Sequence, residues 1–307
     1  MWSLVLVAAS SAACSEPRAV PGPEQGRAQV VPTQRPIDAG TNVVARAFPD
    51  LGAAIAEIVS EEKPRVLGFG EVHQLVSNKG TRSALSRFTE FVVPALAERN
   101  ASNLVLETWV ERPSCGEVQK KVDTQVRKTT ERPVTTQSEL VLLLQAVDQR
   151  GIGRHGMGMS CTEYESLLGD AGAVDYSRLL SLITAKLRSK TEEVVKASPS
   201  DSIVFVYGGA LHNEMHPNEG VAVWSYASAV DQAANGRYVE VDIFVPELIL
   251  EDAALSKEPW FHKIRSPELD ESVLLIRRAE RSYVVLARRG VASKSAETTT
   301  KPSPPPQ

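Results

Sequence analysis

The chain has 307 residues, of which 42% are hydrophobic, 23% charged and 6% aromatic, the balance of a globular protein and not of a collagen-like, coiled-coil or wholly disordered one. Lys and Arg number 34 against 38 Asp and Glu, a formal net charge of −4, and no long basic run occurs, which argues against a nucleic-acid partner. No apolar run reaches the roughly 20 residues that a membrane-spanning helix needs, so membrane attachment would have to come through another device.

Residues 1–14 offer that device. The apolar stretch 4–9 runs into Ser11-Ala12-Ala13-Cys14, with small residues directly before a cysteine, and this resembles a bacterial lipoprotein signal. A signal peptidase needs small side chains beside its cut, and the thiol of the new first residue then carries the lipid anchor. No Lys or Arg precedes the apolar stretch, and Ser11 stands where Leu is commonest in such signals. A plain secretory signal with an incidental Cys14 is the alternative, and either implies export. Ser15 and not Asp follows the cysteine, which by the same resemblance directs a chain lipidated at Cys14 to the outer membrane of a bacterial envelope.

Residues 15–44 are rich in Pro, Gly and Gln (Pro17, Pro21, Pro23, Pro32, Pro36) and too poor in periodic apolar residues to bury a core, so they read as a disordered tether. Residues 291–307, built of Ser, Thr, Lys and Pro, read as a disordered tail. Residues 45–290 remain as a single α/β domain.

Within it, 49–62 places Leu51, Ala54, Ile55 and Ile58 on one helical face, and a short strand follows at 65–69. The 81–99 segment carries Leu85, Phe88, Val92 and Leu96 at helical spacing, with Pro94 predicted to kink it. Strand 103–107, helix 137–149 and a short strand at 156–160 come next. They are followed by helix 176–196, an apolar strand at 202–207 of the kind buried on both faces, and strand 239–244. Segments 273–278 and 282–288 read as an antiparallel hairpin at one edge. Alternation of this kind predicts a mostly parallel central sheet with helices on both faces.

If Cys14 is lipidated, Cys115 and Cys161 are left as the one possible pair. In an oxidising compartment two such cysteines are paired more often than free. Both lie just past predicted strands, so they would emerge at the same sheet edge, and a disulfide is geometrically plausible.

Three predicted strands run into chemistry-bearing residues: Gly70-Glu71-Val72-His73, then Glu107, then Gly208-Gly209-Ala210-Leu211-His212. Ligands bind beyond the carboxyl ends of strands in open parallel sheets, so two histidines and two carboxylates are expected in one solvent-reachable crevice. The glycines would let the chain turn sharply there and let a ligand approach the backbone. Imidazole and carboxylate together make a donor set for a first-row divalent metal such as Zn, Mn or Co. His216 is near enough to His212 to be an accessory; His155 and His262 read as structural or surface residues.

At these residues the chain resembles the superfamily that joins erythromycin-esterase-like proteins, ChaN-type haem-binding lipoproteins and TraB/Tiki proteins. The resemblance covers about residues 65–212 and rests on Gly70-Glu71-Val72-His73, Leu104-Val105-Leu106-Glu107 and Gly209-Ala210-Leu211-His212. It implies an α/β fold with His73, Glu107 and His212 lining the site. The branches are not resolved: Gln74 stands where the ChaN-like branch commonly has Asp, Glu71 where the TraB/Tiki branch has Thr, and the esterase branch has one more residue between Glu and His.

Two functions are expected from this. In the first, His73 and His212 hold a divalent metal whose bound water attacks an ester or amide of a small-molecule or peptide substrate, with Glu71 and Glu107 as acid–base groups. A metal-free version keeps Glu71 and His73 as the base pair. In the second, the chain is a haem- or iron-binding lipoprotein with an axial ligand among Tyr207, Tyr226 and His216. The oligomeric state is not legible.

Overall fold

The computed structural model describes residues 43–109 and 115–290. Its eight strands are β1 (Ala45–Phe48), β2 (Val66–Glu71), β3 (Ala101–Trp109), β4 (Gly153–Met157), β5 (Ile203–Gly209), β6 (Tyr238–Phe244), β7 (Val273–Ala279) and β8 (Ser282–Leu286). They form one sheet in the order β1-β7-β8-β6-β2-β5-β3-β4. The six strands from β8 to β4 are mutually parallel, and β7 runs against both β8 and β1.

The helices are α1 (Leu51–Glu62), α2 (Ala84–Arg87), α3 (Val93–Ala97), α4 (Glu117–Thr130), α5 (Thr135–Asp148), α6 (Cys161–Ser166), α7 (Tyr176–Ala197), α8 (Ala210–Asn213), α9 (Ala227–Ala233) and α10 (Pro246–Ile249). They cover both faces of the sheet because the central strands are apolar on both. On β5, Ile203, Phe205 and Tyr207 pack with Ile55 of α1 and Leu140 of α5. The intervening Val204 and Val206 pack with Leu179 and Ile183 of α7 and Val230 of α9. Period-two alternation thus serves two apolar layers and not one apolar and one wet face.

Local signals explain the element ends. Asp50 Oδ1 accepts the Ala53 N–H at 2.8 Å and starts α1. Lys63, at φ 48°, ends it in the left-handed conformation. Pro94 has no N–H to donate, and before it the helix widens into a π-helical turn over Phe88–Val92 between α2 and α3.

One reading changes, and β1 and α4 are elements that the sequence did not signal. The strand expected at 156–160 runs instead over Gly153–Met157, because Ser160 caps α6 reciprocally with Glu163. The outermost strand beside the C-terminal hairpin is β1, which pairs with β7; with four residues it carries too little periodicity to be seen. Helix α4 buries only Val122, Val126 and Thr130, one narrow stripe among Lys, Gln, Asp and Thr, so its period was hidden.

Cys115 and Cys161 form a disulfide with their Cα atoms 5.2 Å apart. One precedes α4 after β3 and the other opens α6 after β4, and β3 and β4 pair side by side, as the shared-edge reading required. The signal segment with Cys14, nearly all of the 15–44 tether and the 291–307 tail lie outside the described residues. Among the described residues no helix is long and apolar enough to cross a membrane.

Candidate active site

β2, β5 and β3 are neighbours in the sheet and end at the same edge, because Glu71 aligns with Gly209 and Leu106 with Tyr207. That register gathers residues far apart in sequence. Glu71 closes β2, and its Oε1 lies 2.7 Å from His73 Nδ1. Its Oε2 accepts the Tyr207 hydroxyl at 2.6 Å. Glu107, near the end of β3, accepts the Gly209 N–H at 2.7 Å through Oε2.

The glycines of the two motifs act differently from the sequence expectation. Neither Gly70, Gly208 nor Gly209 has a positive φ, and all three lie inside strands, so sharp turning is not their role. They make room. A Cβ on Gly208 would stand 2.4 Å from Glu107 Oε2, and one on Gly209 would stand 3.1 Å from His73 Nε2 and 3.7 Å from Glu107 Oε2. His73 and Glu107 therefore face the same small volume over the backbone of Gly209.

His212, on the single turn of α8, has Nδ1 3.0 Å from the Trp224 carbonyl and 2.9 Å from Thr184 Oγ1. A carbonyl only accepts, so Nδ1 carries the proton and Nε2 is the basic nitrogen. That Nε2 is buried without a hydrogen-bond partner. Burial holds the imidazole neutral by pushing its pKa down to about 4, a shift that the Trp224 carbonyl opposes and the nearby His73 reinforces.

The site is buried: Glu71 is 4% exposed, His73 3% and both Glu107 and His212 1%, where a solvent-reachable crevice was expected. Burial sets the charge states. It would raise Glu71, but the hydrogen bond and charge of His73, the charge of Arg132 and the Tyr207 hydroxyl together hold Glu71 below the usual carboxylate range. Ionised Glu71 accepts, so His73 Nδ1 donates to it, and in the neutral imidazole Nε2 is then the basic nitrogen. Glu107 is pushed up to about 8 by burial and the negative charge of Glu71, against the opposing Gly209 N–H and Arg132. One carboxyl of the pair is thus ionised and the other protonated at neutral pH.

Arg132, between α4 and α5, is the residue that sequence reasoning missed. Its Nη1 is 3.9 Å from Glu71 Oε1. Burial lowers its pKa to about 10, opposed by Glu71, Glu107 and Tyr207. Nothing in an Arg132-Pro133 connection between helices signals a site; only the packing of α4 brings it there.

The remaining candidates lie elsewhere or act otherwise. Tyr207, offered as an axial haem ligand, spends its hydroxyl on Glu71. Tyr226, the other tyrosine considered for haem, is buried in the layer of α7 and α9. His216 is exposed and its Nε2 meets the Glu280 carbonyl at 2.9 Å, at the turn preceding β8. His155 and His262 bond to Asn103 and to the Pro259 carbonyl respectively. Gln74 ties down the loop after His73 by donating to the carbonyls of Asn78 and Thr81.

Among the described residues, the acidic and histidine side chains whose ligand atoms gather within 4.8 Å of one another are Glu214, Glu240 and Asp242. Arg278 sits among them, with Nη2 paired to Glu240 and 3.1 Å from Asp242 Oδ2, and Nη1 3.4 Å from Glu214. The arginine supplies the positive charge that a cation would bring there.

No family model matches the chain, and no curated protein does. Among solved structures it is similar to the type III effector HopBA1, at 12% identity and a TM-score of 0.42, over 83% of this chain and 100% of that one.

Proposed function

We propose that the protein is a hydrolase of ester or amide bonds that works through Glu71, His73 and Glu107. The observation that carries this reading is the 2.7 Å contact of Glu71 with His73 Nδ1, which fixes the tautomer and turns Nε2 toward the volume shared with Glu107. In this scheme His73 Nε2 takes a proton from water, the resulting hydroxide attacks the carbonyl, and Glu71 stabilises the imidazolium that forms. Protonated Glu107 gives its proton to the departing oxygen or nitrogen. The acidic partner is kept protonated by burial and the basic one ionised by its hydrogen bonds, the separation that acid–base catalysis needs.

A second reading, a divalent metal between His73 and His212, is favoured by the partnerless Nε2 of His212 and by the engagement of both Nδ1 atoms with outer partners, as metal-bound imidazoles have. A bound metal would supply an acidified water. The metal-free scheme uses only contacts that the fold already makes, and so it is the preferred one. The Cys115–Cys161 disulfide supports an oxidising compartment, in keeping with export and a lipid anchor at Cys14 in the bacterial envelope.

Hydrolysis of a panel of 4-nitrophenyl esters and amides, with and without chelator, tests the reading. Glu71→Gln, His73→Ala and Glu107→Gln should each lower kcat by about 10²–10⁴-fold, with circular dichroism unchanged. Loss of all turnover on chelation, restored by one metal, would move the assignment to the metal scheme. A wild type that cleaves no member of the panel, or variants that retain full rate, would remove it.

A further inference from the structure

Arg132 has donors the site does not use. Its Nε and Nη2 are buried and have no hydrogen-bond partner. These two atoms form one edge of the guanidinium, with parallel N–H bonds spaced to match the two oxygens of a carboxylate or phosphate. Leaving that edge unbonded in a buried setting is costly, and a ligand oxygen pair removes the cost.

The neighbours do not fill the role. Glu71 stands 3.9 Å from Nη1, on the other side of the fork, and both its oxygens are already occupied by His73 and Tyr207. Glu107 gives one oxygen to the Gly209 N–H, and its Oε1 is likewise without a partner. The Arg132 side chain is 11% exposed, against 4% for Glu71 and 2% for His73.

We propose that the Nε–Nη2 edge of Arg132 is an anion-recognition site, and that the substrate is an ester or amide carrying a carboxylate or phosphate group near the scissile bond. The substrate class rests on the hydrolase reading; the anion site does not. Arg132 holds the anionic group in a bidentate pair and places the carbonyl over Gly209, between His73 and Glu107.

The test has two arms on the full chain. In the first, succinate and inorganic phosphate are titrated separately by calorimetry into the wild type, Arg132→Gln and Arg132→Lys. One saturating site is expected in the wild type for one of the two anions, which names the source, weakened by roughly 10- to 100-fold in Arg132→Gln; Lys keeps the charge but not the fork and should fall between. In the second, kcat/KM is compared for 4-nitrophenyl hemisuccinate and neutral 4-nitrophenyl acetate. The wild type should prefer the anionic ester, and Arg132→Gln should lose that preference, its kcat/KM falling further on the hemisuccinate than on the acetate, where only the loss of a charge beside Glu71 acts.

Failure of both esters in the wild type removes the hydrolase reading and leaves the titration to decide the anion site. No saturable binding of either anion by the wild type, or equal binding by wild type and variants, overturns the proposal. So does an equal fall on both esters. Should the variants not fold, protection of Arg132 from phenylglyoxal by the bound anion, mapped in the wild type, decides the matter: no protection overturns it.

Discussion

Glu107 holds its place because Gly208 beside it has no side chain: a Cβ on that glycine would fall 2.4 Å from Glu107 Oε2 and 3.0 Å from Glu107 Cβ. The next residue, Gly209, then donates its N–H to the same oxygen at 2.7 Å. Two adjacent glycines on β5 thus create the space for a carboxyl of β3 and anchor it.

Gly208→Ala should therefore displace Glu107 and destabilise the fold by about 1–3 kcal/mol, the usual cost of overpacking a tight interior. Gly80, where an added Cβ meets nothing within 4 Å, is the control, and Gly80→Ala should unfold at the same urea concentration as wild type or slightly above. Equal stability of Gly208→Ala and wild type would contradict the packing described here.

The raised pKa of Glu107 makes stability depend on pH. The unfolded carboxyl titrates near the ordinary value of 4.5 and the folded one at about 8. Between those values the folded state holds the proton that the unfolded state has released, so stability is full below about 4.5 and is lost as pH rises toward 8. Glu107→Gln, which mimics the protonated acid, should flatten the melting temperature between pH 6.5 and 8. If Glu107 is the proton donor, wild-type kcat should also fall above a pH of about 8.

His212 acts with the opposite sign. Its imidazole stays neutral in the fold down to about pH 4, against 6.5 for the free side chain, so the unfolded state binds a proton first and stability is lost as pH falls from 6.5 toward 4. His212→Gln should melt with less dependence on pH across that window. An unchanged acid limb would place the loss on other groups.

Reduction of the Cys115–Cys161 bridge opens a loop of sequence separation 46. The chain-entropy account assigns such a loop about 4 kcal/mol. Cys115→Ser/Cys161→Ser should lower the urea midpoint accordingly. Two alkylatable thiols in native, unreduced protein would be the contrary result.

The sequence by itself determined much of the fold. The helical stripe of Leu51, Ile55 and Ile58 carries its own periodicity, which follows from backbone geometry alone, and the short unbroken apolar run Ile203-Val204-Phe205-Val206 marks a strand buried on both faces by its length and β-branched content. The ends of β2, β3 and β5 were legible too, because Glu71, His73, Glu107 and His212 interrupt apolar segments where a parallel sheet opens. What only the tertiary structure decided is how these groups meet. The register of β2 against β5 puts Tyr207 on Glu71, and the packing of α4 brings Arg132 to both carboxyls. The burial of Glu107 under Gly209, which sets its protonation, has no local signal at all. Electrostatic state depends on everything within several ångströms in space, and a sequence lists neighbours along the chain only.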